Sequence, residues 1–148
     1  MLTLHHLNNS RSFRILWLLE ELELDYELTT YERTKAYLAP ESLKKVHPLG
    51  HTPVLEVGDR ALAESGFIIE YLLRHYDKEH QFKPTDDNEA AWEDYTFWLH
   101  FAEATAMPQL VMRLVFSKVV ERPPMLIKPI SKGIRKQVED GMINNNII

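Results

Sequence analysis

Two short stretches of this chain hold residue types suited to capturing a small zwitterionic peptide. The first, His47-Pro48-Leu49-Gly50-His51-Thr52-Pro53-Val54-Leu55-Glu56, reads as a loop running into a strand. A Thr-Pro bond at a strand entry favours a cis peptide, because proline lowers the cost of the cis form and sheet entry fixes the geometry. Such a bond leaves neighbouring N–H and C=O groups to pair with an extended peptide. An ordinary trans proline at a strand start is the plain alternative. The second stretch, Ala63-Glu64-Ser65-Gly66, reads as a strand end meeting a helix N-terminus. Glu64 there offers a carboxylate to an ammonium, and Ser65 offers a hydroxyl, with the helix N–H groups, to a carboxylate. An acidic first turn with a good cap would look the same in any helix.

The elements that must position these groups follow from periodicity. Leu2 to Leu7 reads as a strand, and Asn8 to Ser10 as a turn with a candidate helix cap. Ile15, Leu18, Leu19 and Leu22 recur at i, i+3, i+4, i+7, one face of a helix, with Glu20, Glu21 and Glu23 on the other side. Tyr26 to Tyr31 reads as a second strand, and Pro40 opens a short helical piece ending near Val46. Val54 to Val57 and Ala61 to Ala63 form a hairpin around Gly58-Asp59. Glu64 to Tyr76 is a helix with Ile68, Tyr71 and Leu72 toward the core. The order β-α-β-α-β-β-α makes the first two strands parallel through a right-handed crossover and the last two antiparallel. That is a thioredoxin-like arrangement.

Beyond it, Asp77 to Asn88 is polar and reads as a linker whose end, Asp87 or Asn88, caps the next helix. Trp92, Tyr95, Leu99, Ala102 and Ala106 follow a 3-4-3-4 spacing, the seam of a helix packing on helices. The aromatic residues Trp92, Tyr95 and Trp98 there suit an interdomain core or a dimer surface better than a cofactor box. Pro108 is expected to kink or end that helix, Arg122-Pro123-Pro124 to break the chain again, and Met125 to Gly141 to form a further helix weakened by Pro129 and Gly133. The close on Asn144-Asn145-Asn146-Ile147-Ile148 has no helix cap. The expected fold class is α/β + α: a thioredoxin-like N-terminal domain (1–77), a linker (78–88), and an incomplete all-helical C-terminal domain (89–148). Two helices and a fragment do not close a bundle, so the chain reads as shortened.

Composition narrows the function. A net charge of −5 argues against nucleic acid as the main partner, which needs a basic face. No apolar run reaches membrane-spanning length, and the start lacks a charged n-region, so a cytoplasmic protein is expected. Without cysteine there is no disulfide and no thiolate of its own, so any sulfur chemistry must use a thiol borrowed from a ligand. Seven histidines are present, but His5-His6, His47/His51 and His75/His80 lack the carboxylates and helix context of a zinc site, and no metal is expected.

Asn9-Ser10-Arg11-Ser12 before a Leu-rich helix, Pro48-Leu49-Gly50-x-Thr52-Pro53-Val54-Leu55, and Glu64-Ser65-Gly66-x-Ile68-Ile69-x-Tyr71-Leu72 occur in one order across the first half of the chain. Together they resemble the glutathione-binding half of the glutathione S-transferases, of the bacterial or fungal kind with serine at the first site. The resemblance implies that Glu64 and Ser65 hold the γ-glutamyl end of glutathione, that Thr52 and a cis Pro53 set the backbone, and that Val54 pairs with the cysteinyl part. It implies Ser10 as the catalytic group: a hydroxyl donating to the sulfur at the positive end of a helix favours the thiolate. From local sequence alone, Ser10 reads first as a helix cap, Ser12 is an alternative activator, and Asn9 a second donor. His51, with Lys45 or Lys35, is a candidate for the glycyl carboxylate, or else a solvated loop side chain. Phe67 departs from the small residue often found at its place.

The implied activity is detoxifying conjugation of the glutathione thiolate to a hydrophobic electrophile, by a homodimer, with glutathione as co-substrate and no other cofactor. The electrophile would sit between domains near Met107 and Met112. A non-catalytic binding module of the same fold is the alternative, and an isomerase or dehalogenase would share the same binding residues.

Overall fold

The computed structural model describes residues 1–121 and 128–143. It divides into two compact units, Met1–Thr85 and Asp86–Ile148, at a boundary inside the polar stretch read as a linker.

The first unit is a four-stranded sheet with two helices. Its strands are β1 (Leu2–Leu7), β2 (Tyr26–Tyr31), β3 (Val54–Val57) and β4 (Arg60–Ala63), in the spatial order β2-β1-β3-β4. β1 runs parallel to β2, with Leu2 opposite Tyr26 and Leu7 opposite Tyr31. β1 and β3 are antiparallel, with His5 opposite Val54, and β3 and β4 form the hairpin, with Val57 opposite Arg60. Alternation along β1 sends Leu2 and Leu4 to one face, where Leu55 of β3 and Leu62 of β4 join them. Two helices, α1 (Ser12–Glu21) and α2 (Ser65–Tyr76), bring Ile15, Leu19, Ile68 and Leu72 to the same cluster. Burying each of these large aliphatic side chains contributes roughly 1.5–3 kcal/mol.

Two details differ from the periodicity. Glu27 to Thr30 of the edge strand β2 are exposed, so its alternation is not one of burial. On α2 the fourth buried residue is Leu73, while Tyr71 is half-buried and its hydroxyl accepts a hydrogen bond from Arg60 Nη2 at 2.9 Å.

Between β2 and β3 a short 3-10 turn, Glu41–Lys45, buries only Leu43. After α2, Asp77 is a buried anchor rather than a solvated linker residue. Its carboxylate accepts the backbone N–H groups of Gln81, Phe82 and Lys83 at 2.8–3.0 Å.

The second unit is helical. Asn88 caps α3 (Glu89–His100) by accepting the Ala91 N–H at 3.2 Å. Trp92, Tyr95, Leu99, Ala102 and Ala106 form a half-buried stripe, with Phe97 and Trp98 exposed beside it. A π-helical turn, Phe101–Ala106, leads into α4 (Met107–Glu121). Pro108 therefore does not end the helix. Lacking an N–H, it follows a turn whose ladder has already shifted register. Pro129 and Gly133 both lie within α5 (Lys128–Val138), which a second π turn, Glu139–Ile143, extends. The expected break at Arg122-Pro123-Pro124, the start of a helix at Met125 and the tail Asn144–Ile148 fall outside the described residues. Among the described residues no helix is long and apolar enough to cross a membrane.

Candidate active site

The start of α1 meets the end of β1 through a cluster of hydroxyl groups. Ser12, the first residue of α1, is fully buried, and its Oγ accepts the Leu7 N–H at 3.2 Å. The same oxygen lies 2.8 Å from His6 Nδ1 and 2.7 Å from Ser10 Oγ. Ser10 Oγ in turn accepts the Ser12 N–H at 3.2 Å and lies 2.9 Å from Thr52 Oγ1. His6, Ser12, Ser10 and Thr52 thus form one continuous chain of hydrogen bonds. The parity of β1 explains it: His6 shares the face of Leu2 and Leu4, over which α1 begins. Burial holds the His6 imidazole below the usual histidine pKa, because the charged form is the one that loses hydration.

Ser10 has the contact of the cap that the sequence allowed. It takes an N–H at the start of α1, as a cap does, and it stands half-buried at the outer end of the hydroxyl chain. Ser12 stands inside, with no exposed surface. The turn before them is fixed by Arg33, whose Nε donates to the Asn8 carbonyl at 3.1 Å and whose Nη2 donates to the Asn9 carbonyl at 2.8 Å. Asn9 adopts a left-handed φ of 54°, which asparagine tolerates better than most residues. Nothing in the local pattern around Arg33 marks this role, since Asn8 and Asn9 lie more than 20 residues away.

The Thr52–Pro53 bond is cis. Thr52, Pro53 and Val54 are all buried. Val54 lies within the ladders, opposite His5 on β1 and Ala63 on β4, whereas Thr52 and Pro53 precede the strand. The loop leading in needs Gly50: its φ is +63°, and a Cβ there would stand 2.7 Å from Lys44 Cγ. His51 Nδ1 donates to the Leu49 carbonyl at 3.0 Å, and its Nε2 lies 3.7 Å from Glu64 Oε1. Adjacent residues of one loop therefore touch both helix starts: His51 reaches Glu64 ahead of α2, and Thr52 reaches Ser10 ahead of α1. His51, read from the sequence as a candidate for the glycyl carboxylate, stands beside Glu64.

Glu64 has φ 74° and ψ 119°, a strained conformation for a residue with a side chain, typically costing about 1–3 kcal/mol. Its side chain is exposed, while Ser65 behind it is buried at the first position of α2. Lys35 and Lys45 are exposed, and among the described residues no hydrogen bond or ion pair joins them to this cluster. Phe67 lies on the exposed side of α2.

Three further histidines have other partners. Buried His5 meets the Tyr31 hydroxyl at 2.9 Å and Glu56 Oε2 at 3.1 Å, on the face of the sheet opposite Leu2 and Leu4. His75 packs on Tyr71, and His80 Nδ1 donates to the Pro84 carbonyl at 3.1 Å. Among the described residues no three His, Cys, Asp or Glu side chains gather as a metal site would require.

Comparison with known proteins identifies the family. The family model for the glutathione S-transferase N-terminal domain matches residues 1–74, half of the 148-residue chain. Glutathione S-transferase 1 of Saccharomyces cerevisiae is 42% identical over 125 residues, covering 80% of this chain and 53% of that protein. Glutathione S-transferase 3 of Schizosaccharomyces pombe is 39% identical over 128 residues, covering 86% and 52%. The chain thus spans about half the length of the curated relatives it matches. A solved glutathione S-transferase of Actinobacillus pleuropneumoniae superposes with a TM-score of 0.69 at 37% identity, over 95% of this chain and 64% of that one. With the family model matching half of the chain and relatives 39–42% identical over 80–86% of it, the chain belongs to the glutathione S-transferase family.

Proposed function

We propose that this chain binds glutathione on its first unit and activates the thiol through Ser10 for transfer to an electrophilic carbon. The observation that carries the reading is the loop His51-Thr52-Pro53 touching both helix starts at once, with Ser10 half-buried at one and Glu64 strained at the other. The γ-glutamyl end of glutathione would lie at Glu64 and Ser65, its ammonium on the Glu64 carboxylate and its carboxylate at the positive end of α2. Thr52, ahead of the ladder, would take the backbone of the cysteinyl residue, with Pro53 and Val54 shaping the floor beneath it. His51 and Asn9 stand at the edges of that path.

Glutathione's thiol is largely protonated at neutral pH, as a free cysteine thiol titrates at about 8.5. A hydroxyl hydrogen bond and the α1 dipole stabilise the anion, so the S–H bond breaks more readily, the proton passing to solvent. The thiolate then forms the S–C bond as the leaving group departs or the acceptor takes the electron pair. Positioning and thiolate stabilisation would supply the rate. The relatives' names support a transferase, and a homodimer is proposed as the acting form.

Calorimetric titration with glutathione, followed by a conjugation assay against a panel of electrophiles, tests the reading. Saturable one-site binding with turnover is expected. No binding by the folded chain would overturn it. Binding with no turnover on any electrophile would replace it by a non-catalytic binding module.

A further inference from the structure

The hydroxyl chain ends on a histidine, and the valences of its members decide what Ser10 can offer a ligand. Ser12 Oγ has one proton and two lone pairs, and one lone pair is taken by the Leu7 N–H. Ser10 Oγ likewise has one lone pair taken by the Ser12 N–H. His6 Nδ1 then sets the direction of everything beyond it. If Nδ1 is bare, Ser12 gives its proton to His6 at 2.8 Å and Ser10 gives its own to Ser12 at 2.7 Å. Ser10 would then present only a lone pair outward, which repels a thiolate. If Nδ1 carries the proton, it fills the second lone pair of Ser12. Ser12 donates to Ser10, whose second lone pair is then filled too. The Ser10 proton is left to point away from the chain, to Thr52 at 2.9 Å or to a ligand. The other acceptor within reach of Ser12, the Leu7 carbonyl, is longer at 3.4 Å.

We propose that His6 is a positioning residue for this site: its Nδ1–H, donated to Ser12, turns the hydroxyl chain outward and leaves the Ser10 proton for the ligand sulfur. The proposal rests on the reading of the site as one that activates the glutathione thiol. His6 lies on β1, one full hydrogen-bonded step behind Ser12, and acts only through the two serines. Its burial keeps the ring neutral near pH 7, so the tautomer rather than the charge sets the direction.

The test compares the chain with His6→Phe, which removes the donor, and His6→Asn, which places an amide near the position of Nδ1. Glutathione affinity is measured by calorimetry, and the pKa of the bound thiol by ultraviolet titration of the thiolate. The phenylalanine variant is expected to keep its affinity within about threefold and to raise the bound thiol pKa by about one unit, a tenfold loss of thiolate. The asparagine variant is expected to recover most of that shift. In 15N-histidine-labelled protein with glutathione bound, the His6 Nδ1 signal is expected in the protonated range. A bare Nδ1 overturns the proposal, and this measurement stands even if the phenylalanine variant does not fold. A bound thiol that titrates alike in chain and phenylalanine variant also overturns it, as does an equal rise in both variants, which would mean packing rather than donation. Failure of the unaltered chain to bind glutathione would be a different result: it removes the reading of the site itself, and this role with it.

Discussion

Ser10 is the residue on which the proposed chemistry turns, and its geometry separates two roles by experiment. As a cap it holds one N–H; as an activator it stabilises an anion that exists only in the bound complex. Ser10→Ala is expected to lower conjugation at neutral pH about 10- to 100-fold while changing glutathione affinity by less than about threefold, as follows when a charge-stabilising donor is lost. Unchanged turnover, with the bound thiol titrating as before, would leave Ser10 as a cap alone. A second residue-scale prediction concerns Tyr26, whose hydroxyl donates to Glu20. That hydrogen bond, then burial, then the carboxylate charge push its pKa up to about 12 from 10.0. The protonated phenol is the form favoured on folding, so its stabilisation is complete below pH 10 and is lost as pH rises through about 12. In a spectrophotometric titration of the six tyrosines, Glu20→Gln should bring one late-ionising group back toward 10. A titration identical to that of the unaltered chain would sink this assignment.

At the scale of elements, local periods were legible and meetings between distant elements were not. Ile15 and Leu19 on α1, and Ile68 and Leu72 on α2, announce their helical faces because the 3.6-residue period is a property of the segment itself, and all four are fully buried. The hairpin at Gly58-Asp59 and the cap at Asn88 were legible for the same reason: their partners lie within a few residues. The pairing of His6 with Ser12, and of Arg33 with Asn8 and Asn9, depends on where α1 lands on β1 and where the loop after β2 returns. No spacing in the sequence encodes those contacts. Asp77 stands at the head of a polar stretch, where aspartate is usually solvated, yet here it closes a loop over three N–H groups. Asp77→Ala should strip hydrogen-exchange protection from the Gln81, Phe82 and Lys83 amides and destabilise the first unit by about 1–3 kcal/mol, the cost of leaving buried partners unmade. Protection that survives would mean that the backbone alone holds that loop. On α2, Ile68→Ala removes a fully buried side chain from the central cluster and should cost about 2–5 kcal/mol in urea unfolding. A change below about 1 kcal/mol would place Ile68 outside the core that determines stability.

At the scale of the molecule, buried apolar surface is distributed unevenly among the described residues. Every fully buried hydrophobic residue among those described lies in Met1–Thr85, from Leu2 to Leu73. In the second unit no described residue is buried, and Phe97, Trp98, Leu114 and Val115 are each more than half exposed. Since hydrophobic burial is the main favourable term in folding, the stabilising burial among the described residues resides in the first unit, which also contains Ser10, Thr52, Glu64 and Ser65. A protease should therefore cut within the second unit first. Opening free energies are lowest where few apolar contacts must be broken, and cleavage follows the population of open forms. The expected product is a resistant fragment close to residues 1–85. It should unfold in urea in one transition, at the midpoint of the unaltered chain, and bind glutathione with similar affinity. A fragment that binds but unfolds at lower urea would show that the helical unit lends stability without entering the site. A fragment that is unfolded would mean that the cluster around Leu4, Ile15, Leu55 and Ile68 is not sufficient by itself, and that the helices after Asn88 supply stabilisation that burial within the chain does not reveal.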